Sequence, residues 1–224
     1  MNLAVARAQL GYLTRLPALR PAARRDIGDL VSKVAIVTLF SSMAMRLAQD
    51  TAQTGHVTSL LLLASESLVV ALTIVRRAPA AVDRTWVARI VTMFATFGPP
   101  LVRPNSLNAI APESVTVLIS AVGLIIVVTG KISLGRSFGL IPANRGVVST
   151  GMYRFVRHPI YLGYLFTHAG FVIANPLQWN WVMLFVADVA LMYRAVLEEK
   201  TLATDPAYAE YMQRTRWRIF PGLF

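Results

Sequence analysis

The sequence predicts an all-α, polytopic transmembrane fold of about six spans, and three observations carry that prediction. Of 224 residues, 55% are hydrophobic and only 15% charged. The apolar residues gather into segments of near-spanning length, more than the single core of a soluble domain this size can hide. The formal charge of +11 is nearly all arginine and falls between those segments.

Leu3, Ala6, Leu10, Leu13 and Leu16 recur at helical spacing among Arg7 and Arg15, which predicts an amphipathic helix on the membrane surface within residues 1–30. Pro17 and Pro21 end it. Residues 31–134 then hold four predicted spans, at about 31–49, 57–75, 86–102 and 113–134. The third contains Arg89 and ends at Gly98-Pro99-Pro100. Residues 135–224 hold two more, at about 159–174 and 179–197, separated by Asn175-Pro176-Leu177-Gln178 and so expected to form one helical hairpin. Trp179 and Trp181 stand where interfacial aromatics belong. Beyond the last span, Asp205-Pro206 reads as a helix start, with a capping acid and a proline at the first helical position. Tyr208, Tyr211 and Met212 share a face of that helix, and Arg214, Arg216, Trp217 and Arg218 form a basic, aromatic surface expected to cover the cytoplasmic side. No internal repeat or low-complexity linker divides the chain, so 1–224 reads as one membrane domain.

Basic residues occupy alternate connections: Arg7 to Lys33, Arg76 to Arg89, Lys131 to Arg157 and Arg194 to Arg218. The positive-inside bias then places both termini and the 135–158 connection in the cytoplasm. Anionic headgroups account for the arginines, so nucleic acid is not an expected partner. Cysteine is absent, which excludes disulfides, thiol nucleophiles and thiolate metal sites. Three scattered histidines make no metal site.

Two charged clusters flank the predicted hairpin. Arg157-His158-Pro159-Ile160-Tyr161-Leu162-Gly163 opens it, with a helix N-terminus starting at Pro159 that suits a carboxylate or phosphate. The plainer reading is headgroup anchoring. Arg194-Ala195-Val196-Leu197-Glu198-Glu199-Lys200 closes it. Acidic residues at a helix C-terminus lie at the unfavourable end of the dipole, and the positive-inside bias does not call for them. An i, i+4 pair with Arg194 accounts for Glu198 and leaves Glu199 without a partner. Together the clusters suit a zwitterion bearing carboxylate and ammonium.

The run Gly151-Met152-Tyr153-Arg154-Phe155-Val156-Arg157-His158-Pro159-Ile160-Tyr161-Leu162-Gly163, then Arg194-x-x-x-Glu198-Glu199 and Tyr208-x-x-Tyr211, resembles the integral-membrane isoprenylcysteine carboxyl methyltransferases and their phospholipid methyltransferase relatives. The resemblance covers roughly residues 130–224. It implies a cytoplasmic pocket for S-adenosyl-L-methionine and an acceptor entering from the bilayer. By position it assigns cofactor contacts to Arg145, Gly146, Val147, Val148, Tyr153, Arg157, His158, Pro159, Ile160, Tyr161 and Glu198. Arg194 is assigned to the acceptor, and Glu199 would take its proton if the acceptor is an amine. Histidine is common in the family where Arg145 stands, and proline where Met152 stands. The acceptor is expected to be lipophilic or small, a carboxylate, amine or thiol, with membrane lipids around it and no obligate protein partner or metal. Two other readings stay open: an NADPH-dependent reductase of the sterol-reductase type, whose C-terminal half is similar, and a transporter or structural membrane protein.

Glu66, His168 and Asp188 are polar residues inside predicted spans. Glu66, between Ser65 and Ser67, is costly there unless paired, protonated or facing a polar cavity, and reads equally as structural or functional. His168 and Asp188 are expected to bond across the fifth and sixth spans, a reading favoured over a catalytic one. Ser133-Leu134-Gly135-Arg136-Ser137-Phe138-Gly139 lacks the Lys-Ser/Thr helix start of a phosphate loop.

Overall fold

The computed structural model describes residues 27–75, 81–82, 85–105, 108–134, 143–144 and 147–223. The surface helix expected within residues 1–30 lies almost wholly outside them. Two compact units divide the chain, Met1–Ala35 and Ile36–Phe224. The first is described only from Ile27, where it begins a helix. All that follows concerns the second.

Among the described residues there are seven α-helices: α1 (Ile27–Thr54), α2 (Thr58–Val75), α3 (Trp86–Phe97), α4 (Glu113–Leu134), α5 (Pro159–Ala174), α6 (Gln178–Leu202) and α7 (Pro206–Arg214). The all-α expectation needs one small amendment. Ala81–Val82 (β1) and Ala143–Asn144 (β2) pair antiparallel, Ala81 opposite Asn144 and Val82 opposite Ala143. This ladder joins two of the arginine-bearing connections, which therefore lie on the same side. Helices α4 and α6 are long and apolar enough to cross a bilayer, and α5 is a shorter apolar helix of 16 residues.

The boundaries follow from local chemistry. Gly55 takes φ 77°, a left-handed conformation that ends α1. The Thr85 hydroxyl accepts the Ala88 N–H to start α3. The sequence expected a span over 86–102, but α3 stops after 12 residues and a 3-10 turn follows at Pro99–Leu101. Two successive prolines supply no N–H to continue the α-helical ladder. A Cβ on Gly98 would meet Ala187 Cβ at 2.6 Å, so glycine here lets α3 lie directly on α6.

The turn between α5 and α6 falls where expected, yet the two helices are not each other's main neighbours. Helix α5 packs most extensively on α4, and α6 on α3. Ser120, Gly123, Val127 and Gly130 on α4 face Ile160, Gly163, Thr167 and Gly170 on α5. A Cβ on Gly163 would stand 2.6 Å from Val127 Cγ2, and one on Gly123 would stand 2.7 Å from the Gly163 carbonyl oxygen. Small residues on both helices bring the backbones together, which is how helices associate where lipid tails remove the hydrophobic driving force. Outside this seam the surface is apolar: Leu118, Ile125 and Ile132 on α4, and Phe185 and Val189 on α6, are exposed. A belt of that kind suits lipid and not water.

At the far end, Asn175 and Asn180 pin the α5–α6 turn. Asn175 Oδ1 accepts the Asn105 N–H at 2.6 Å, while Asn180 both accepts from and donates to the backbone of Arg103. Trp179, expected at the interface, is half exposed and donates its indole N–H to the Leu101 carbonyl at 2.8 Å.

Candidate active site

The site assembles where the start of α5 meets the end of α6. Pro159 occupies the first turn of α5, and His158 caps it with φ −128° and ψ 61°. The segment after α7 then crosses over this entry. Arg157 donates its backbone N–H to the Trp217 carbonyl at 2.9 Å and His158 donates to that of Arg218 at 2.8 Å. These two bonds strap residues 215–220 across the foot of α5, giving the C-terminal segment the covering role its sequence suggested.

The two charged clusters meet. His158 Nε2 lies 3.2 Å from Glu199 Oε1, and His158 Nδ1 lies 3.6 Å from Glu198 Oε2. Tyr161 donates its hydroxyl to Glu198 Oε1 at 2.7 Å, and its ring stacks on the His158 imidazole at 5.3 Å. Arg194 forms the i, i+4 pair with Glu198 at 3.0 Å, with its guanidinium also 5.5 Å from the centre of the Tyr161 ring. That pair is buried, Arg194 being 5% exposed, so it is held far more firmly than a solvated pair.

Helix spacing offers Glu199 no partner, and the structure supplies its partners from other segments. Arg157 Nε stands 2.8 Å from Oε1, and Arg218 Nε donates to Oε2 at 2.7 Å. With His158, three cationic or cation-capable groups from two distant segments converge on one buried carboxylate. Arg218 was read from sequence as headgroup surface; the signal that pointed to it was the unmatched Glu199. Oε1 faces both Arg157 and His158, while Oε2 faces Arg218.

The flank of the site is aromatic. Tyr153 lies in the 3-10 turn Gly151–Arg154 and is buried with Tyr208 and Tyr211, against Val147, Val148 and Leu134. Tyr211 donates its hydroxyl to the Tyr153 carbonyl at 2.8 Å, which docks α7 on the turn. Burial pushes the Tyr153 phenol well above its usual range, and nearby Glu198 adds to the effect. Burial does the same to Tyr208 and Tyr211, so all three remain neutral hydroxyls.

Of the site residues expected from sequence, Arg157, His158, Tyr161, Arg194, Glu198 and Glu199 are brought into one network. Tyr153, Val147 and Val148 form its aromatic flank. Pro159 and Ile160 are buried at the helix start, with Ile160 against Gly130. Arg145 and Gly146 lie outside the described residues. The resulting network combines carboxylates, cations and flat rings, a donor set that suits a ligand with ammonium, carboxylate and purine parts.

Residues 112–210 match the family model described as phospholipid methyltransferase, so the resemblance read from the two clusters holds over that segment. No curated protein matches the chain at a significant level. Members of the family generally draw the methyl group from S-adenosylmethionine.

Proposed function

We propose that this protein transfers a methyl group from S-adenosyl-L-methionine to a lipophilic or small acceptor at the cytoplasmic face of a membrane that it crosses about six times. The observation that supports this best is the convergence of Arg157 and His158 with Glu198 and Glu199 beneath the 215–220 strap, inside the segment that matches the family.

When bound, the cofactor supplies a methyl group activated on a sulfonium sulfur. The chain's own task is to position and to exclude water, because an in-line displacement needs no covalent intermediate. Glu198 is suited to the ammonium of the cofactor, and Arg157 and His158 to its carboxylate. Tyr153 and the stacked Tyr161 offer faces for adenine. Val147 and Val148, with Arg145 and Gly146 before them, would border it, and Pro159 and Ile160 would present the start of α5. Arg194, held by Glu198 over the Tyr161 ring, orients the acceptor. Glu199 keeps the cations and the strap in register and is the candidate to accept the proton if the acceptor is an amine. The acceptor, whether a prenylcysteine-like carboxylate, an amine or a thiol, enters from the apolar side.

Titration of the purified full chain with S-adenosylhomocysteine and with NADPH tests this reading. Saturable binding of S-adenosylhomocysteine, weakened at least tenfold in His158→Ala and in Glu198→Ala, is expected. Binding of NADPH alone would overturn the methyltransferase in favour of a reductase. Binding of neither would favour a transporter or structural protein.

A further inference from the structure

Deep among the helices, buried polar groups tie one element to the next. His168 Nδ1 on α5 lies 2.6 Å from Asp188 Oδ1 on α6, and Lys131 on α4 donates to the Ser65 carbonyl on α2 at 2.9 Å. The polar and aromatic groups outside the strap have no such task. Arg216 and Trp217 in the strap, Arg154 and Phe155 at the turn before α5, and Lys200 near the end of α6 are all exposed, Phe155 by 64% and Trp217 by 40%. Among the described residues Arg154, Arg216 and Lys200 pair with no carboxylate, while Arg214 pairs with the exposed Glu210. Glu198 and Glu199 are turned into the site, so the outer surface keeps a surplus of positive charge.

Arginines set topology wherever they fall in a basic connection, but topology does not require exposed rings beside them, nor a place on the segment that covers the site. Here outward and inward residues share one short stretch of backbone. Arg216 and Trp217 are exposed, whereas the next residue, Arg218, donates to Glu199 at 2.7 Å, and Ile219 is fully buried in the apolar cluster that holds Tyr161 and Ala195. The carbonyls of Trp217 and Arg218 accept the N–H groups of Arg157 and His158. Whatever grips the outside of the strap therefore also keeps Arg218 on Glu199. The same chemistry recurs at the start of α3, where Trp86 is exposed with the Arg89 guanidinium 5.3 Å from its ring centre, on a connection that the β1–β2 ladder joins to this one.

We propose that anionic phospholipid headgroups of the surrounding membrane dock on Arg154, Arg216 and Trp217, hold the 215–220 strap down over the site, and so raise its affinity for the cofactor. This deepens the methyltransferase reading and rests on it. The surface selects the occupant: guanidinium forks match phosphate oxygens, an amphipathic tryptophan ring sits at headgroup level, and negative lipid charge gathers at the cytoplasmic leaflet. The strap crosses the foot of α5, an apolar helix of 16 residues, which on the six-span topology is the level of those headgroups. A ligand shifts an opening equilibrium only through its preference for one state. An open strap carries Arg216 and Trp217 away from Arg154 and Phe155, so the headgroups meet the full cluster only when the strap is closed.

The test titrates the full chain with S-adenosylhomocysteine in nanodiscs of phosphatidylcholine alone and of phosphatidylcholine partly replaced by phosphatidylglycerol, at low and at high salt. Binding in the anionic discs is expected to be tighter by about fivefold or more, the gain from one basic side chain at an anionic surface, and the difference should shrink as salt screens it. The double variant Arg154→Gln, Arg216→Gln, altered only at exposed side chains, should match wild type in neutral discs and lose the gain in anionic ones. Brominated phosphatidylglycerol should quench the fluorescence of wild type more than that of Trp217→Phe. Equal wild-type affinity in the two lipids, or a gain that the double variant retains, overturns the proposal and leaves the methyltransferase standing. Tightening in neutral discs by inorganic phosphate at matched ionic strength would assign the surface to a free anion and also overturns docking on lipid. A wild type that binds no S-adenosylhomocysteine in either lipid overturns both readings.

Discussion

Glu199 shows how much one carboxylate can organise. It ties the foot of α5 through Arg157 and His158 to the strap through Arg218, and its side chain is only 4% exposed. Removing one member of such a buried group leaves the others uncompensated, which costs about 3–5 kcal/mol. Glu199→Ala should therefore lower the melting temperature in detergent sharply. Arg218→Ala should cost less, because Arg157 and His158 still face the carboxylate and Arg218 is itself half exposed. Equal stability of Glu199→Ala and wild type would show that the network is solvated and carries little energy. The sequence made Glu199 conspicuous by its lack of a helical-spacing partner. It did not reveal that the partner stands 19 residues away, beyond α7.

Helix α5 is short, apolar and framed by charge, and its placement depends on what it lacks. Gly163 and Gly170 allow α4 to approach along its whole length, and the site residues Pro159–Tyr161 inherit their position from that seam. Gly163→Ala places a methyl group 2.6 Å from Val127 Cγ2 and 2.7 Å from the Gly123 carbonyl, so the helices must part. A loss of about 1–3 kcal/mol is expected, with weakened cofactor binding although no cofactor-facing side chain has changed. Thermal unfolding and S-adenosylhomocysteine titration of this variant measure both effects. Unchanged values would mean that the seam relaxes freely. The small-residue pattern was present in the sequence, but hydropathy treats glycine as neutral and passes over it. The apolar helix and the turn after it were legible; which helix α5 lies against was not.

At the scale of the whole molecule, the pairing of β1 with β2 puts two basic connections on one side, as alternate arginine-rich loops require. The proposed six-span topology goes further and places the opposite loops across the membrane. Because the chain has no cysteine, single introduced cysteines report cleanly on this. In intact cells an impermeant maleimide should label Ala109→Cys, in the exposed loop before α4, and should reach Thr204→Cys, between α6 and α7, only after lysis. Labelling of both in intact cells would reject the topology.

The sequence by itself determined what local chemistry encodes: apolar helices, their caps and proline breaks, the basic loops, and a motif whose resemblance agrees with the family model that matches residues 112–210. It also foresaw the His168–Asp188 bond, since two lone polar residues in neighbouring apolar helices have little choice but each other. Only the tertiary structure decided that α5 rests on α4 and that Arg218 closes the site over Glu199. Each of these depends on contacts between segments far apart in the chain, where shape and the satisfaction of buried charge select one arrangement among several that periodicity permits.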